Sequence, residues 1–184
     1  MSALVLGIGN ILWADEGFGV RAVEAFDRRF VLADGVELLD GGTQGLYLVQ
    51  NVVEAADLLV FDAIDYGLAP GELKLVRDGD VPKFTGAKKM SLHQTGFQEV
   101  LSAADLLGRY PKRLALIGVQ PEDLENWGGP LTGPVRAQIG PAIALARQVL
   151  AEWGYLVTER AAGDEAPGLL GYELDFARYE RRSA

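Results

Sequence analysis

Short, largely apolar runs alternate with glycine-rich or polar turns along the chain, and they predict its strands. The runs are residues 3–9, 36–40, 57–63 and 113–119. Apolar runs of this length are typical of strands that are buried on both faces. Residues 72–77 instead alternate apolar and charged side chains, which predicts an edge strand with one face in water.

Apolar residues also recur at helical spacing between the predicted strands. One stripe includes Phe18, Ala22, Phe26 and Phe30; another includes Phe97, Val100, Leu101, Ala104 and Leu107; the last includes Val135, Ile139, Ile143, Ala146, Leu150 and Trp153. Residues three and four apart share one face of a helix, so each stripe predicts an amphipathic helix. Thr132 is predicted to be the N-cap of the last helix, and Pro141 is expected to kink or interrupt it.

The alternation of strands and helices predicts an α/β fold. We expect a single three-layer domain, in which helices cover both faces of a twisted, mostly parallel sheet of about five strands. Right-handed crossovers favour a flavodoxin-like order, with the first strand between the second and the third. The edge strand at 72–77 is expected to be antiparallel. Residues 1–158 form this domain, and residues 159–184, which lack periodicity, are predicted to be a mobile or loosely docked tail.

The 184 residues include no cysteine and a single histidine, His93. Disulfides, thiolate zinc sites, iron–sulfur clusters and a cysteine nucleophile are therefore excluded. A zinc protease helix of the His-Glu-x-x-His type is excluded as well, because it needs two histidines. Acid–base or metal chemistry would have to come from carboxylates, His93 and backbone dipoles.

The formal net charge is −9, which disfavours a nucleic-acid partner because phosphate contacts supply most of that affinity. The basic run at 83–89 is interrupted by uncharged residues and is predicted to be a solvated loop. No apolar run reaches the roughly 20 residues that a membrane-spanning helix needs. The N-terminus lacks the charged region of a signal peptide. We therefore expect a cytoplasmic protein with neither a nucleic-acid nor a membrane partner.

Acidic residues fall where the predicted strands end, which is where open α/β sheets bind their ligands. Asp62 closes a buried strand, where an ionised carboxylate costs several kcal/mol unless it is paired, so a site role is favoured. Asp40 precedes two glycines and could either cap a turn or face a ligand. Glu16 lies at a helix start, where an acid either stabilises the helix dipole or serves a site.

His93 precedes or begins a helix, and the helix dipole there disfavours the imidazolium form. A neutral imidazole is the form that binds a metal. With Glu16 and Asp62 it would complete a site of one histidine and two carboxylates. Such a donor set suits nickel, zinc or another borderline divalent metal.

Other chemistries are less well supported by the residues. Gly7 and Gly9 follow a strand as in a dinucleotide-binding turn, but Leu12 occupies the position of the third glycine and the helix begins late. Ser91 lies two residues from His93, but no serine lies in a Gly-x-Ser-x-Gly motif. A non-catalytic flavodoxin-like module that binds a metal or an anion remains open, as does a nucleotide-dependent oxidoreductase.

Several separated blocks resemble the hydrogenase maturation endopeptidases. The opening blocks are LGIGNIL at 6–12 and DEGFGV at 15–20. They are followed in the family's order by DGGT at 40–43, the strand that ends at Asp62, MSLHQTG at 90–96 and LIGVQPE at 116–122. The resemblance covers about residues 2–158 and leaves the tail without a counterpart.

This resemblance implies a function. Such enzymes remove a C-terminal extension from the precursor of the large subunit of nickel–iron hydrogenases after nickel insertion. The family's metal-binding residues fall on Glu16, Asp62 and His93, which would contact nickel carried by the substrate; another divalent metal can occupy such a site in vitro. In a second scheme a carboxylate, Asp40 or Asp62, is the general base for water. The expected partners are the precursor and other maturation accessory proteins.

Overall fold

The computed structural model describes residues 2–81, 92–161, 164, 168 and 169, with only the backbone of residues 92–95. Its helices are α1 (Phe18–Arg29), α2 (Val49–Glu54), α3 (Leu92–Leu106), α4 (Gly133–Arg136) and α5 (Ile139–Glu152). Its strands are β1 (Ala3–Ile8), β2 (Phe30–Leu32), β3 (Val36–Gly42), β4 (Asp57–Ala63), β5 (Leu73–Arg77), β6 (Arg113–Val119) and β7 (Val157–Glu159).

Among the described residues, five strands form one sheet in the order β3-β1-β4-β6-β5. The pairs among β3, β1, β4 and β6 are parallel, whereas β5 runs antiparallel to β6 at the edge. The predicted α/β class is confirmed. So are the place of β1 between β3 and β4, the next two strands of this sheet along the chain, and the antiparallel direction of the edge strand β5. The order changes direction at β1, so a crevice opens beyond the carboxyl ends of β1 and its neighbours.

Helices cover the sheet on both faces. One apolar cluster joins α1 and α5 to residues such as Leu59 and Phe61. The other joins α2 and α3 to residues such as Leu58 and Val60. Every residue of β1 and β4 is buried, which explains why the central residues of these strands are apolar rather than alternating.

Glycines bring α1 against the strand ends. A side chain at Gly19 would overlap the carbonyl oxygens of Ile8 and Phe61. One at Gly7 would in turn overlap the carbonyl oxygen of Gly19. The first turn of α1 therefore touches the backbone of β1 and β4, which places the preceding loop directly above the ends of these strands.

One sequence-based expectation is wrong, and two hold only in part. Phe30 belongs to the short strand β2, which pairs with β7, rather than to the helix before it. The last helix is divided before Pro141, which is the third residue of α5 and so occupies a position where no backbone donor is required. Thr132 stands at the N-cap of α4, but its hydroxyl donates to Asp15 instead of capping the helix.

The first residues of the predicted tail contact α1 and β2. Glu159 pairs with Arg29 at 3.2 Å, and the Arg160 guanidinium donates to the carbonyl oxygens of Asp27 and Phe30. The Gly168 amide donates to the Asp27 carboxylate at 3.2 Å. The domain boundary and the mobility of the tail remain predictions.

Two further expectations fall on undescribed positions. The basic loop at 83–89 and Ser91 lie outside the described residues. Across the part of the chain that is described, no helix combines the length and the apolar character needed to cross a membrane.

Candidate functional site

Three of the four predicted site residues lie along one edge of the sheet. Parallel pairing aligns the carboxyl ends of β1, β3, β4 and β6, and the register places Gly7 between Asp40 and Phe61. Asp62 is the next residue of β4. The 3-10 turn that carries Glu16 follows β1 and packs against β4. The sheet therefore brings Glu16, Asp40 and Asp62 to its carboxyl edge, as the sequence predicts.

Asp62 is a buried carboxylate. Asp62 is 3% exposed, and its Oδ1 accepts a hydrogen bond from the Ala63 amide at 2.8 Å. Strand alternation turns it to the face covered by α3, where Leu58 and Val60 also point. Burial of this residue agrees with the sequence-based expectation, and it places a carboxylate where pairing with a cation would be strongly favourable.

Tyr66 lies beside Asp62. Its ring covers Gly118, the residue paired with Asp62 on β6, at a distance that leaves no room for a side chain there. Burial, together with the negative charge of Asp62, raises the pKa of Tyr66 well above its usual range. The phenol therefore stays protonated at neutral pH. Lys74 Nζ lies 5.0 Å from the centre of the same ring.

The loop after β4 is held by Gln120, which follows β6. Its Oε1 accepts the amides of Tyr66 at 2.8 Å and Leu68 at 3.1 Å, and its Nε2 donates to Asp65 at 3.1 Å. The loop that follows Asp62 is thus tied to the neighbouring strand.

Glu16 is half-buried in the turn between β1 and α1, and burial raises the pKa of its carboxyl group. Its backbone carbonyl accepts the Asn10 amide at 3.0 Å. Gly9, at φ 139°, permits this close return of the chain, because a side chain there would overlap that carbonyl. The position fits both interpretations of Glu16, as an acid at a helix start and as a residue of the site.

Asp15 is the main structural residue that the sequence reasoning missed. It is fully buried, and its carboxylate accepts the amides of Glu122, Asp123 and Thr132 at 2.7–2.9 Å and the Thr132 hydroxyl at 2.9 Å. These partners lie more than 100 positions away in sequence, so no local pattern indicates them. Asp15 fastens the loop after β6 to the loop after β1.

The two loops that Asp15 joins also carry a pair of aromatic rings that contact each other. The rings of Trp13 and Trp127 meet edge to face, with centroids 5.0 Å apart. The Gly128 amide donates to the carbonyl of Leu12 at 2.7 Å. Trp127 is 62% exposed and Leu12 is 37% exposed. Leu12, Trp13 and Trp127 therefore form an apolar ridge beside the carboxyl edge of the sheet.

Asp40 faces the opposite side of the sheet from Asp62. It shares the register position of Gly7 and Phe61, whose face α1 covers. Its Oδ1 accepts the Gly42 amide at 2.9 Å, so it does cap the turn after β3. It also lines a pocket of about 230 Å³, together with Gly9, Asn10, Ile11, Leu12, Val20, Gly42 and Thr43. Asp40 thus combines the turn-capping role with access to a crevice.

His93 lies in the first turn of α3, and its side chain lies outside the described residues. The backbone indicates where this turn lies, because Gly96 packs against Gly45 in the turn after β3. The described side chains contain no group of three histidine, cysteine, aspartate or glutamate residues arranged around a common metal position. The site of Glu16, Asp62 and His93 therefore stays a prediction.

An open α/β sheet with carboxylates at the carboxyl ends of its strands is typical of a domain that binds its ligand at that edge. The family model for hydrogenase maturation protease matches residues 20–149. The chain therefore belongs to the hydrogenase maturation protease family, and it is an endopeptidase. This membership confirms the family resemblance and favours catalysis over a non-catalytic binding module.

Individual relatives are similar in sequence over most of this chain. Hydrogenase expression/formation protein HupD of Bradyrhizobium diazoefficiens is 71% identical over 182 residues, covering 98% of this chain and 95% of that protein. Hydrogenase 2 maturation protease of Escherichia coli is 46% identical over 164 residues, covering 88% of this chain and 98% of that protein. The solved structure of the hydrogenase maturating endopeptidase HybD from E. coli matches with a TM-score of 0.82 at 44% identity, covering 87% of this chain and 98% of that one.

Proposed function

We propose that the protein removes the C-terminal extension of the precursor of a nickel–iron hydrogenase large subunit, after nickel has been inserted. The observation that carries this proposal is Asp62, a buried carboxylate at the carboxyl end of a central strand. In a protease without cysteine, such a group is well suited to receive a cation that arrives with the substrate.

Glu16, Asp62 and His93 would contact the nickel held by the precursor. The described geometry supports a common location for the first two, since the turn of Glu16 packs on the strand of Asp62. Carboxylate and imidazole ligands suit nickel and other borderline divalent ions. The metal then acts as the recognition element of the substrate, and it would polarise the scissile carbonyl or a water molecule.

Asp40 is the candidate for the general base. Burial raises the pKa of its carboxyl group, while the Gly42 amide and Arg21 act in the opposite direction. It lines the pocket beside the loop after β1, and the apolar ridge borders this pocket at Leu12. An extended segment of the substrate that lies in this pocket would reach the carboxyl edge of the sheet. The aromatic rings of Trp13 and Trp127 would then be available to contact the precursor.

The direct test is the intact mass of a large-subunit precursor incubated with the protein, in nickel-loaded and nickel-free forms. We expect loss of the C-terminal extension from the nickel-loaded form only. Mass loss from neither form would contradict the function. Equal processing of both forms would contradict nickel as the recognition element.

Single substitutions test the contribution of each predicted site residue to processing. Asp62→Asn, Glu16→Gln and His93→Gln should each slow processing by about 100-fold or more, equivalent to about 3 kcal/mol in the barrier. The matched control is Asp65→Asn, which alters a carboxylate three residues away in the loop tied to Gln120. Normal processing by Asp62→Asn, with the control also normal, would remove Asp62 from the site.

A further inference from the structure

We propose that the apolar side chains exposed at the carboxyl edge of the sheet form a docking surface for the nickel-loaded precursor. This surface sets the affinity for the precursor and takes no part in the cleavage step. It is called the apolar rim here, and it consists of Leu12, Leu46, Tyr47, Leu68 and Trp127. The identity of the partner rests on the proposed function, whereas the location of the rim does not.

The rim lies at the ends of the strands that carry the candidate site. Its members belong to the loops after β3, β1, β4 and β6, which are neighbours in the sheet in that order. Neighbouring strands lie about 5 Å apart, so the ends of these four strands span about 15 Å. The rim therefore extends across most of the width of the sheet.

The exposed apolar side chains are unevenly distributed over the molecule. Among the described residues, five of the nine large apolar side chains that are exposed belong to the rim. The other four lie in or beside β2 and β7, or where α3 ends. A single exposed leucine is ordinary on a protein surface, but a group of apolar side chains at one edge indicates a binding surface.

Hydrogen bonds order three of the loops that carry the rim. The Leu12 amide donates to Asn10 Oδ1 at 3.0 Å, and the Leu12 carbonyl oxygen accepts the Gly128 amide from the loop after β6 at 2.7 Å. In the loop after β4, the Leu68 amide donates to Gln120 Oε1 at 3.1 Å. A partner therefore meets side chains on an ordered backbone, which lowers the entropy cost of binding.

The partner is a polypeptide, because the chain is an endopeptidase and the rim borders its candidate site. Charge narrows the choice further. Asp65, Glu122, Asp123 and Glu125 line a pocket of about 350 Å³ at the same edge, and its described lining includes no basic residue. A second copy of this chain carries a formal net charge of −9, so like charges oppose its docking here. The acidic surroundings instead favour a partner that carries positive charge beside apolar side chains, as a precursor with bound nickel does at its metal.

The rim and the pocket beside Asp40 have different roles. That pocket has a volume of about 230 Å³, which suits a short extended segment of the precursor rather than a protein surface. Contacts of the rim lie outside it and are made equally in the bound substrate and in the transition state. Loss of such contacts raises KM and leaves kcat unchanged.

The test measures binding of the full chain to an immobilised nickel-loaded precursor by surface plasmon resonance, and processing by intact mass. Trp127→Ala and Tyr47→Ala should each raise the Kd and the KM by about 10-fold, with kcat unchanged. Leu106→Ala is the matched control and should change none of the three. Leu106 is 89% exposed and Tyr47 is 87% exposed, but Leu106 ends α3 and precedes β6, at the opposite edge of the sheet.

If Trp127→Ala fails to fold, Tyr47→Ala still decides the matter, because so exposed a side chain contributes little to the fold. An unchanged Kd in either folded variant overturns the inference, as does an equal rise in Leu106→Ala. Sedimentation of the protein alone tests the other occupant: a dimer that both rim variants dissociate would assign the rim to a second copy and overturn the inference. The association rate should fall as NaCl is raised, and a rate independent of salt would overturn the positive charge assigned to the partner.

The two readouts separate this inference from the proposed function. If the wild-type protein binds the nickel-loaded precursor through the rim but does not shorten it, the proposed function fails and the docking surface stands. If the wild type shortens the precursor and the rim variants bind it equally well, the docking surface fails alone. If the wild type does not bind the precursor, both fail.

Discussion

Asp15→Ala should destabilise the protein, because it removes the carboxylate that joins the loops after β1 and β6. In the native state this carboxylate accepts three backbone amides and one hydroxyl within the described residues. The methyl group of alanine accepts none of them. The loop around Glu122 and Asp123 would then lose the side-chain part of its attachment to the carboxyl edge and keep backbone hydrogen bonds such as that from the Asp15 amide to the Asp123 carbonyl oxygen.

The size of the effect follows from these bonds. A hydrogen bond to a charged group contributes about 1.5–3 kcal/mol. Four such contributions cannot add, because their sum would approach the whole stability of a typical domain. Glu122 is exposed, so water can replace part of what is lost. We therefore expect the free energy of unfolding to fall by about 3 kcal/mol, because buried donors lose their charged acceptor.

Urea denaturation followed by circular dichroism measures this change, and hydrogen exchange of the Glu122, Asp123 and Thr132 amides measures the loop itself. Asp15→Asn is the intermediate control, since it keeps one acceptor oxygen but turns an amino group towards the donors. A loss below about 0.5 kcal/mol for Asp15→Ala, the level of ordinary surface substitutions, with amide exchange unchanged, would refute the reasoning.

Two further predictions concern the scaffold. Hydrogen bonds from Arg113 and Tyr155 outweigh the effect of burial and lower the pKa of Asp57. Its contribution to stability is therefore complete above the ordinary carboxyl pKa of about 4 and is lost as the pH falls below it; acid urea titrations should show this loss in the wild type and less of it in Asp57→Asn. Gly19→Ala would press a methyl group onto two backbone carbonyls and should cost more than about 3 kcal/mol in thermal or urea unfolding, whereas Gly140→Ala, which meets no atom within 4 Å in α5, should be neutral or stabilising by up to about 1 kcal/mol. Equal effects of the two alanines would contradict the close packing of α1.

The central strands could be predicted because they are buried on both faces and are therefore largely apolar, and the edge strand β5 could be predicted from its alternation. The segments 57–63 and 113–119 match β4 and β6 at both ends, since polar residues or turns bound them. The pairing of β2 with β7 could not be predicted. Each strand has three residues, too few to show a period, and Phe30 also continues the helical stripe of α1.

The candidate site likewise contains residues that could be predicted from the sequence and residues that could not. Asp62 and Asp40 were predictable because strand ends can be read locally and parallel strands place their ends together. Asp15 and Gln120 were not, since their partners lie far away in sequence. The burial of Arg21 and Glu24 could not be predicted either, because charges three residues apart on a helix are typical of an exposed ion pair.

The central claim is that Glu16, Asp62 and His93 contact nickel that the precursor already holds. X-ray absorption at the nickel edge, on the nickel-loaded precursor with and without the protein, tests it most directly. We expect nitrogen or oxygen ligands to be added to the nickel when the wild-type protein binds, and to be absent with the Asp62→Asn, His93→Gln double variant. A nickel ligand set that does not change while the wild-type protein binds and processes the precursor would contradict the account.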